Sequence, residues 1–447
     1  MLIGFAKTDI TPRVGVELCG FGPFLNRRSI GIRDRLWSRA MAVRVGETTA
    51  VVISNDIIQL SLPDTRRIRQ IVHEETGLAS EHIMVHCTHT HSGPATGTLA
   101  GWGMQDAPYL ETLPRKVAQA AIDALRALQP ATLSHAEVPC EGVGLNREYD
   151  KDAPPLEDVL KEDWRPARPE LTDTTCQVLV ARAEEGDKRI IGFASYFGCH
   201  PVVCCAQTRY IHGDYAGVAT NLLEREHPGS VGLFLQGAQG DVNSCVVHKP
   251  EQEALLALDV IAARYARAVR RGMAEAKPVD VPEIVSRVRP VTFSRKQVTR
   301  EDLAARLAEQ EAILHAPGAS DEASEVRMAM VYAQAYRKLL RQMDAGESLE
   351  APTEVQGLRL GSVTLLGGPF EIFQAIKNDV RAGARSPQTM VMGLTNDQLG
   401  YAPDKTAAAR GGYAADMVPL MLGTLPFAGI HDELVRELLA AEDALYE

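Results

Sequence analysis

His86-Cys87-Thr88-His89-Thr90-His91-Ser92-Gly93-Pro94 places three histidines within six residues, directly after the apolar run Ile83-Met84-Val85. The run reads as a short strand and the cluster as its end. Along an extended segment side chains repeat every second residue, so His89 and His91 face one side, where two imidazoles can meet one ion. The competing reading is a pair that only hydrogen-bonds in a polar loop. Residues elsewhere in the chain must decide between the two.

Working outward, Ala40 to Val45 and Ala50 to Ser54 read as strands around the Gly46-Glu47 turn, the second running into Asn55-Asp56. Pro63 to Thr76 has a helical pattern stopped by Gly77, and a second helix is expected from about Leu113 to Leu128. The charged, Pro-rich stretch 146–169 reads as a surface loop or lid. Thr175 to Ala183 and Arg189 to Ser195 form an expected hairpin that ends at Gly198-Cys199-His200-Pro201. Val231 to Leu235 is a further strand, followed by the glycine-rich loop Gln236 to Asn243, too rich in glycine for regular structure. Glu251 to Ala276 is a long helix, and Asp302 to Met343 reads as a helical hairpin broken at Ala316-Pro317-Gly318; its apolar spacing holds for too few heptads to make a coiled coil. Glu354 to Leu360 and Val363 to Leu366 pair across Gly361-Ser362 and deliver Glu371, expected at a helix start. Met390 to Leu394 is the last strand, with Tyr401 beyond it, and an amphipathic helix from about His431 to Leu445 closes the chain. Strands alternating with helices place the chain in the α/β class, and the strands release His, Asp, Glu, Asn and Tyr at their ends, where ligands bind in such sheets.

Composition sets the bounds. The 447 residues, 45% of them hydrophobic, suffice for one large α/β domain or two ordinary ones. With 47 basic and 58 acidic residues, the net charge of -11 and the lack of a basic stretch argue against nucleic acid. No apolar run approaches the roughly 20 residues of a membrane span, and Asp9 falls too early for a signal peptide, so a cytoplasmic protein with no membrane partner is expected. The eight cysteines form no C-x-x-C pair and read as reduced, buried thiols, with Cys87, Cys199 and Cys245 as small apolar filler beside the site.

A catalytic zinc takes three protein ligands from His and carboxylate and leaves a position for water. His89, His200 and Glu371 supply such a set, with His91 as a further ligand or a supporting group. Zn2+ brings the pKa of its water towards about 7 and polarises a carbonyl, so hydrolysis of an amide, lactam, lactone or ester is implied. Asp56, Asp214 and Asp241 are candidates to orient histidines or accept a proton, with helix or turn capping as the alternative. His212 reads as a second-metal ligand or a surface histidine, Arg147 as a cation facing a substrate carbonyl or carboxylate or an exposed partner of Glu148, and Tyr401 as a ligand, an oxyanion donor or an interface aromatic.

These residues resemble the neutral/alkaline ceramidase N-terminal domain family of zinc amidohydrolases. The match runs through Asp9-Ile10-Thr11-Pro12, Thr88 to Pro94, Asn146-Arg147, His200, Gly213-Asp214-Tyr215-Ala216, Gly240-Asp241-Val242, Gly367 to Glu371, and Gly393-Leu394-Thr395-Asn396 to Tyr401. It implies one catalytic domain over residues 1–447 with mixed sheets flanked by helices, the 301–343 hairpin being an insertion. It also implies zinc ligands at His89, His200, Glu371 and Tyr401, with His91 and Arg147 lining the site; Tyr413 competes with Tyr401. Two departures count. Ceramidases carry a serine after the Gly-Asp-Val loop, where this chain has Asn243 and a serine only at 244, which an extended backbone turns to the opposite face. Ceramidases also continue into an immunoglobulin-like domain beyond the point where this sequence ends. The expectation is a zinc hydrolase of C–N bonds acting by water attack, with Asn243 holding a carbonyl of a small soluble substrate. A ceramidase-type hydrolase and a non-catalytic metal-binding scaffold are the alternatives, and a homo-oligomer is left open.

Overall fold

The computed structural model describes residues 1–97, 99–150 and 154–447, so part of the 146–169 stretch, residues 151–153, lies outside the described residues. Among the described residues the largest sheet is nine-stranded and mixed. Its order is Val231–Gln236, Ile190–Phe197, Thr175–Ala183, Gln129–Pro139, Leu2–Asp9, Trp37–Val45, Thr48–Asn55 and Ile83–Cys87, with Lys277–Pro278 on the flank of Gln129–Pro139. The outermost pair at each end is parallel and the pairs between are antiparallel. A second, four-stranded sheet follows the order Ile284–Thr292, Pro352–Leu360, Val363–Gly367, Gln388–Met392.

The strands carry near-continuous apolar runs because both of their faces are covered. Met41, Val43 and Met84 point into the layer shared with Leu358, Leu365 and Met390 of the second sheet. Ala40, Ala42, Ile83 and Val85 point the other way, under the helices Leu62–Thr76 and Ala107–Arg126. The helices Asp214–Glu226 and Glu251–Glu275 cover the Thr175–Phe197 half. Gln374–Gly383 and Ile430–Asp443 cover the outer face of the second sheet. The resulting α/β architecture of mixed sheets flanked by helices is the one expected.

The large sheet bends until its two outermost strands meet. Ser54 Oγ donates to Phe234 O at 2.6 Å, and Gln236 N donates to His86 Nε2 at 2.7 Å. The second sheet joins at the same place, since Gly393 N donates to Gln236 O and Cys87 N to Leu394 O. His86, buried outside the candidate ligand set, thus ties three strand ends together, and the loops that follow them converge.

Helix boundaries differ from the reading in one instructive place. The second helix begins at Ala107, not near Leu113, because Asp106 caps it by accepting from Tyr109 N. The hairpin Arg300–Leu314 and Ser324–Asp344 stands as expected, packed through Leu303 and Leu339 on Leu420 and Leu425. The glycine-rich loop is not wholly irregular: Val242–Ser244 forms a short strand antiparallel to Gly144–Asn146. All eight cysteines are buried and free, and no helix among the described residues is long and apolar enough to cross a membrane.

Candidate metal centre

His89 and His91 do converge, though not by strand alternation. The strand stops at Cys87, and the next turn docks on the end of the adjacent strand Thr48–Asn55 and the residues after it through Thr88 N to Asn55 O and His89 N to Ile57 O. His89 then takes a left-handed conformation, φ 70°, a strain tolerated where surrounding contacts fix it. Its Nδ1 lies 2.8 Å from the carbonyl of Ile58, and its Nε2 lies 3.2 Å from His91 Nε2. Gly20 closes against the far side of His91: its φ is 106° and a Cβ there would lie 2.3 Å from His91 Nδ1, so glycine is required.

His200 and Glu371 complete the cluster from opposite sheets. His200 Nδ1 is 2.6 Å from Gln239 O, while its Nε2 is 2.8 Å from Glu371 Oε2. The same oxygen is 3.2 Å from His89 Nε2. Glu371 does not start a helix as expected. It lies in the two-residue strand Glu371–Ile372, paired in register with Tyr401, and the helix begins at Gln374. The pairing sets the carboxylate beside the phenol, and Gly240 allows it, since a Cβ there would meet Glu371 O at 2.5 Å.

The donor count in this cluster points to a cation. Carbonyl oxygens only accept, so His89 and His200 in their neutral forms each carry their proton on Nδ1, and each Nε2 presents a lone pair. Those lone pairs face the carboxylate oxygen of Glu371, another acceptor. Protonating the rings would relieve the opposition, but burial pulls His200 down to about 4 and, with help from His89 and His200, holds His91 well below its ordinary value. Burial opposes the charge on Glu371, and only positive charge among its neighbours, either protons on His89 and His200 or a cation between them, holds the carboxyl well below its ordinary range. Three imidazoles and one carboxylate with inward-facing lone pairs fit a borderline divalent metal such as zinc.

A cavity of about 530 Å³ opens over this cluster, lined among others by His91, His200, Arg147, Asn243, Tyr401 and Tyr413. The Arg147 guanidinium lies 4.9 Å from the Tyr401 ring and 5.8 Å from that of Tyr413, with Nη2 buried and unpartnered. Tyr401 stacks 6.4 Å from His200, and burial pushes its phenol well above the ordinary value. Tyr413 is the more exposed of the two. Asn243 faces the cavity while Ser244 is fully buried, as the alternation of a strand demands.

The three aspartates have different places. Asp241 Oδ1 accepts from Gln374 N and Oδ2 from Asn146 Nδ2, and its carbonyl accepts from Arg147 N. It therefore ties the loops of Arg147 and Glu371 together, and burial pushes its carboxyl up to about 7. Among the described residues the Asp56 carboxylate hydrogen-bonds to Trp37 N and pairs with Arg39 at 2.6 Å, not with a histidine, and the backbone beside it holds His89. Asp214 accepts from the Val203, Cys204 and Tyr215 amides, the capping alternative, at the start of the helix Asp214–Glu226. His212 is buried, not a surface histidine, and groups with Cys204 and Asp214. Asp214 N donates to His212 Nδ1, which puts the proton on Nε2 and argues against ligation by that nitrogen. The orienting groups of the ligand histidines are thus backbone carbonyls of Ile58 and Gln239, which no residue type announces.

The model of the family described as neutral/alkaline non-lysosomal ceramidase, N-terminal, matches residues 1–255. Among solved structures, neutral ceramidase from Pseudomonas aeruginosa is similar at a TM-score of 0.74 and 18% identity, covering 99% of this chain and 75% of that one. A ceramidase complexed with C2 is similar at a TM-score of 0.73 and 18% identity, over the same shares of the two chains.

Proposed function

The chain belongs to the neutral/alkaline non-lysosomal ceramidase family, which supports a hydrolase, and on that premise we propose a zinc-dependent enzyme that cleaves the C–N bond of an amide or cyclic amide in a compact, soluble substrate. We assign this activity to a single catalytic domain spanning residues 1–447. The observation that carries the reading is the set of lone pairs on His89, His200 and Glu371 that face one another without a proton to share. His89, His200 and Glu371 would hold the ion, with Tyr401 beside them and His91 as ligand or support. A bound zinc supplies an acidified water and polarisation of the scissile carbonyl.

The chain's own groups then have distinct tasks. Arg147, a permanent cation with an unpartnered Nη2, binds a substrate oxygen or carboxylate. The Tyr401 hydroxyl, kept protonated by burial, donates to charge that develops on the carbonyl oxygen. Asn243 holds the substrate from the opposite wall. Water attack is favoured over serine attack because Ser244 faces the protein interior.

A second reading, hydrolysis of an N-acyl lipid, draws support from exposed Phe24, Leu25 and Met104, which neighbour the mouth residues Gly22 and Trp102 in sequence. The polar cations in the cavity favour the compact substrate. Elemental analysis of purified protein is expected to find about one zinc per chain, and His200→Ala is expected to remove both metal and turnover across a panel of amides, lactams, lactones and ceramides. A metal-free wild type overturns the proposal; fatty-acid release from ceramide alone moves it to the lipid reading, and metal without any turnover to a binding protein.

A further inference from the structure

His248 stands on the wall of the same cavity without a part in the cluster just described. Its ring meets Phe21 edge-on at 6.1 Å between centroids, and Phe21 in turn meets His91 edge-on at 5.2 Å, so one aromatic ring separates His248 from the candidate metal site. Its backbone is left-handed, φ 57°, which is costly for a residue with a Cβ. Anchors on both sides enforce it: Cys245 N donates to Val143 O, Cys205 Sγ to Lys249 O, and Lys249 Nζ to Pro154 O. Strain of this kind, held by surrounding contacts, gathers at ligand-binding positions. Among the described residues no hydrogen bond reaches the ring, which is exposed to the cavity, and partial desolvation lowers its pKa. At neutral pH the ring is therefore an uncharged imidazole with one donor and one acceptor nitrogen to spare.

We infer that His248, backed by Phe21, is a specificity-determining residue that hydrogen-bonds a neutral hydroxyl of the substrate beyond the scissile bond. The inference rests on the reading of the cavity as a hydrolase site. Its neighbours on that wall, Val202 and Val247, offer no competing hydrogen bond from their side chains, so a substrate methyl in place of the hydroxyl would displace water from the exposed ring without replacing its hydrogen bond.

Two probes isolate the contact: N-acetylethanolamine and N-propylacetamide, which differ by a terminal hydroxyl in place of a methyl. Binding to zinc-loaded wild type and to His248→Phe is measured by ligand-observed NMR titration, which needs no turnover, and metal content is followed in parallel. The hydroxylated amide should bind wild type about five- to tenfold tighter, the worth of one neutral hydrogen bond. His248→Phe should erase that preference with zinc retained, and His248→Gln, which keeps a donor and an acceptor, should restore part of it. Equal binding of the two amides to wild type, binding of neither, or a preference that survives His248→Phe overturns the inference. Failure of wild type to hydrolyse any amide would sink the hydrolase reading separately, because the binding preference is read without catalysis.

Discussion

Replacing Glu371 by glutamine should stabilise the metal-free protein and abolish its response to zinc. Glu371 Oε2 lies 2.8 Å from His200 Nε2 and 3.2 Å from His89 Nε2, and in a neutral ring that donates from Nδ1 each of those nitrogens is an acceptor. Without a cation the wild type buries acceptors against acceptors; a glutamine amide can turn its NH2 towards both lone pairs and leave no buried anion. A buried unsatisfied polar group costs about 1–3 kcal/mol, so metal-free Glu371→Gln should exceed metal-free wild type by that amount. For a chain of this length that is a rise of about 1–3 °C in Tm. Zinc reverses the order: a ligand at a thousand times its Kd adds about 4 kcal/mol to the wild type, while the variant, lacking the anionic ligand, gains little. Scanning calorimetry in chelator and in graded zinc, paired with metal analysis, measures both halves. A metal-free variant that melts below metal-free wild type, or equal zinc shifts in the two proteins, would refute the donor-count argument.

Two further outcomes follow from the burial of single groups. Ser244→Ala should keep kcat within about twofold of wild type, since the hydroxyl faces the interior and its loss removes only a long hydrogen bond from Val246 N, 3.4 Å; loss of turnover at normal metal content would reject water attack. Asp214 gives a pH signature. Burial pushes its carboxyl up to about 6 in the folded chain, against about 3.9 unfolded, so the folded state favours the protonated form. Its contribution is complete below about pH 4 and is lost as pH rises towards 6. The urea midpoint of the metal-free protein should therefore fall over that interval, and Asp214→Asn should flatten the slope; an unchanged slope in the variant would show that Asp214 is not its source.

Much of the candidate site was legible because its chemistry belongs to side-chain types at strand ends. His89, His91, His200 and Glu371 could be picked out from residue identity and position, and the cavity over them includes Arg147, Asn243 and Tyr401 as the motif order implies. The turn of Ser244 away from Asn243 was legible too, because alternation is a local property of an extended backbone. The carbonyls of Ile58 and Gln239 were not, since every residue has one and only tertiary contact selects which accepts from a histidine. His248 was missed for a related reason: a lone histidine in a loop has no pattern, and its place against Phe21 comes from a distant segment.

Sequence by itself determined the elements, their apolar faces, the α/β class and the inventory of groups that could bind a metal. These depend on periodicity, capping and turn chemistry within about 15 residues of chain. Tertiary structure decided which of those groups meet. His89 and His200 follow strands that lie near opposite ends of one sheet's order, and only the bend that joins Gln236 to His86 and Ser54 to Phe234 brings them to one carboxylate. The same closure left Asp56 to Arg39 and Asp214 to its own turn, because a buried carboxylate takes the nearest donors that packing provides.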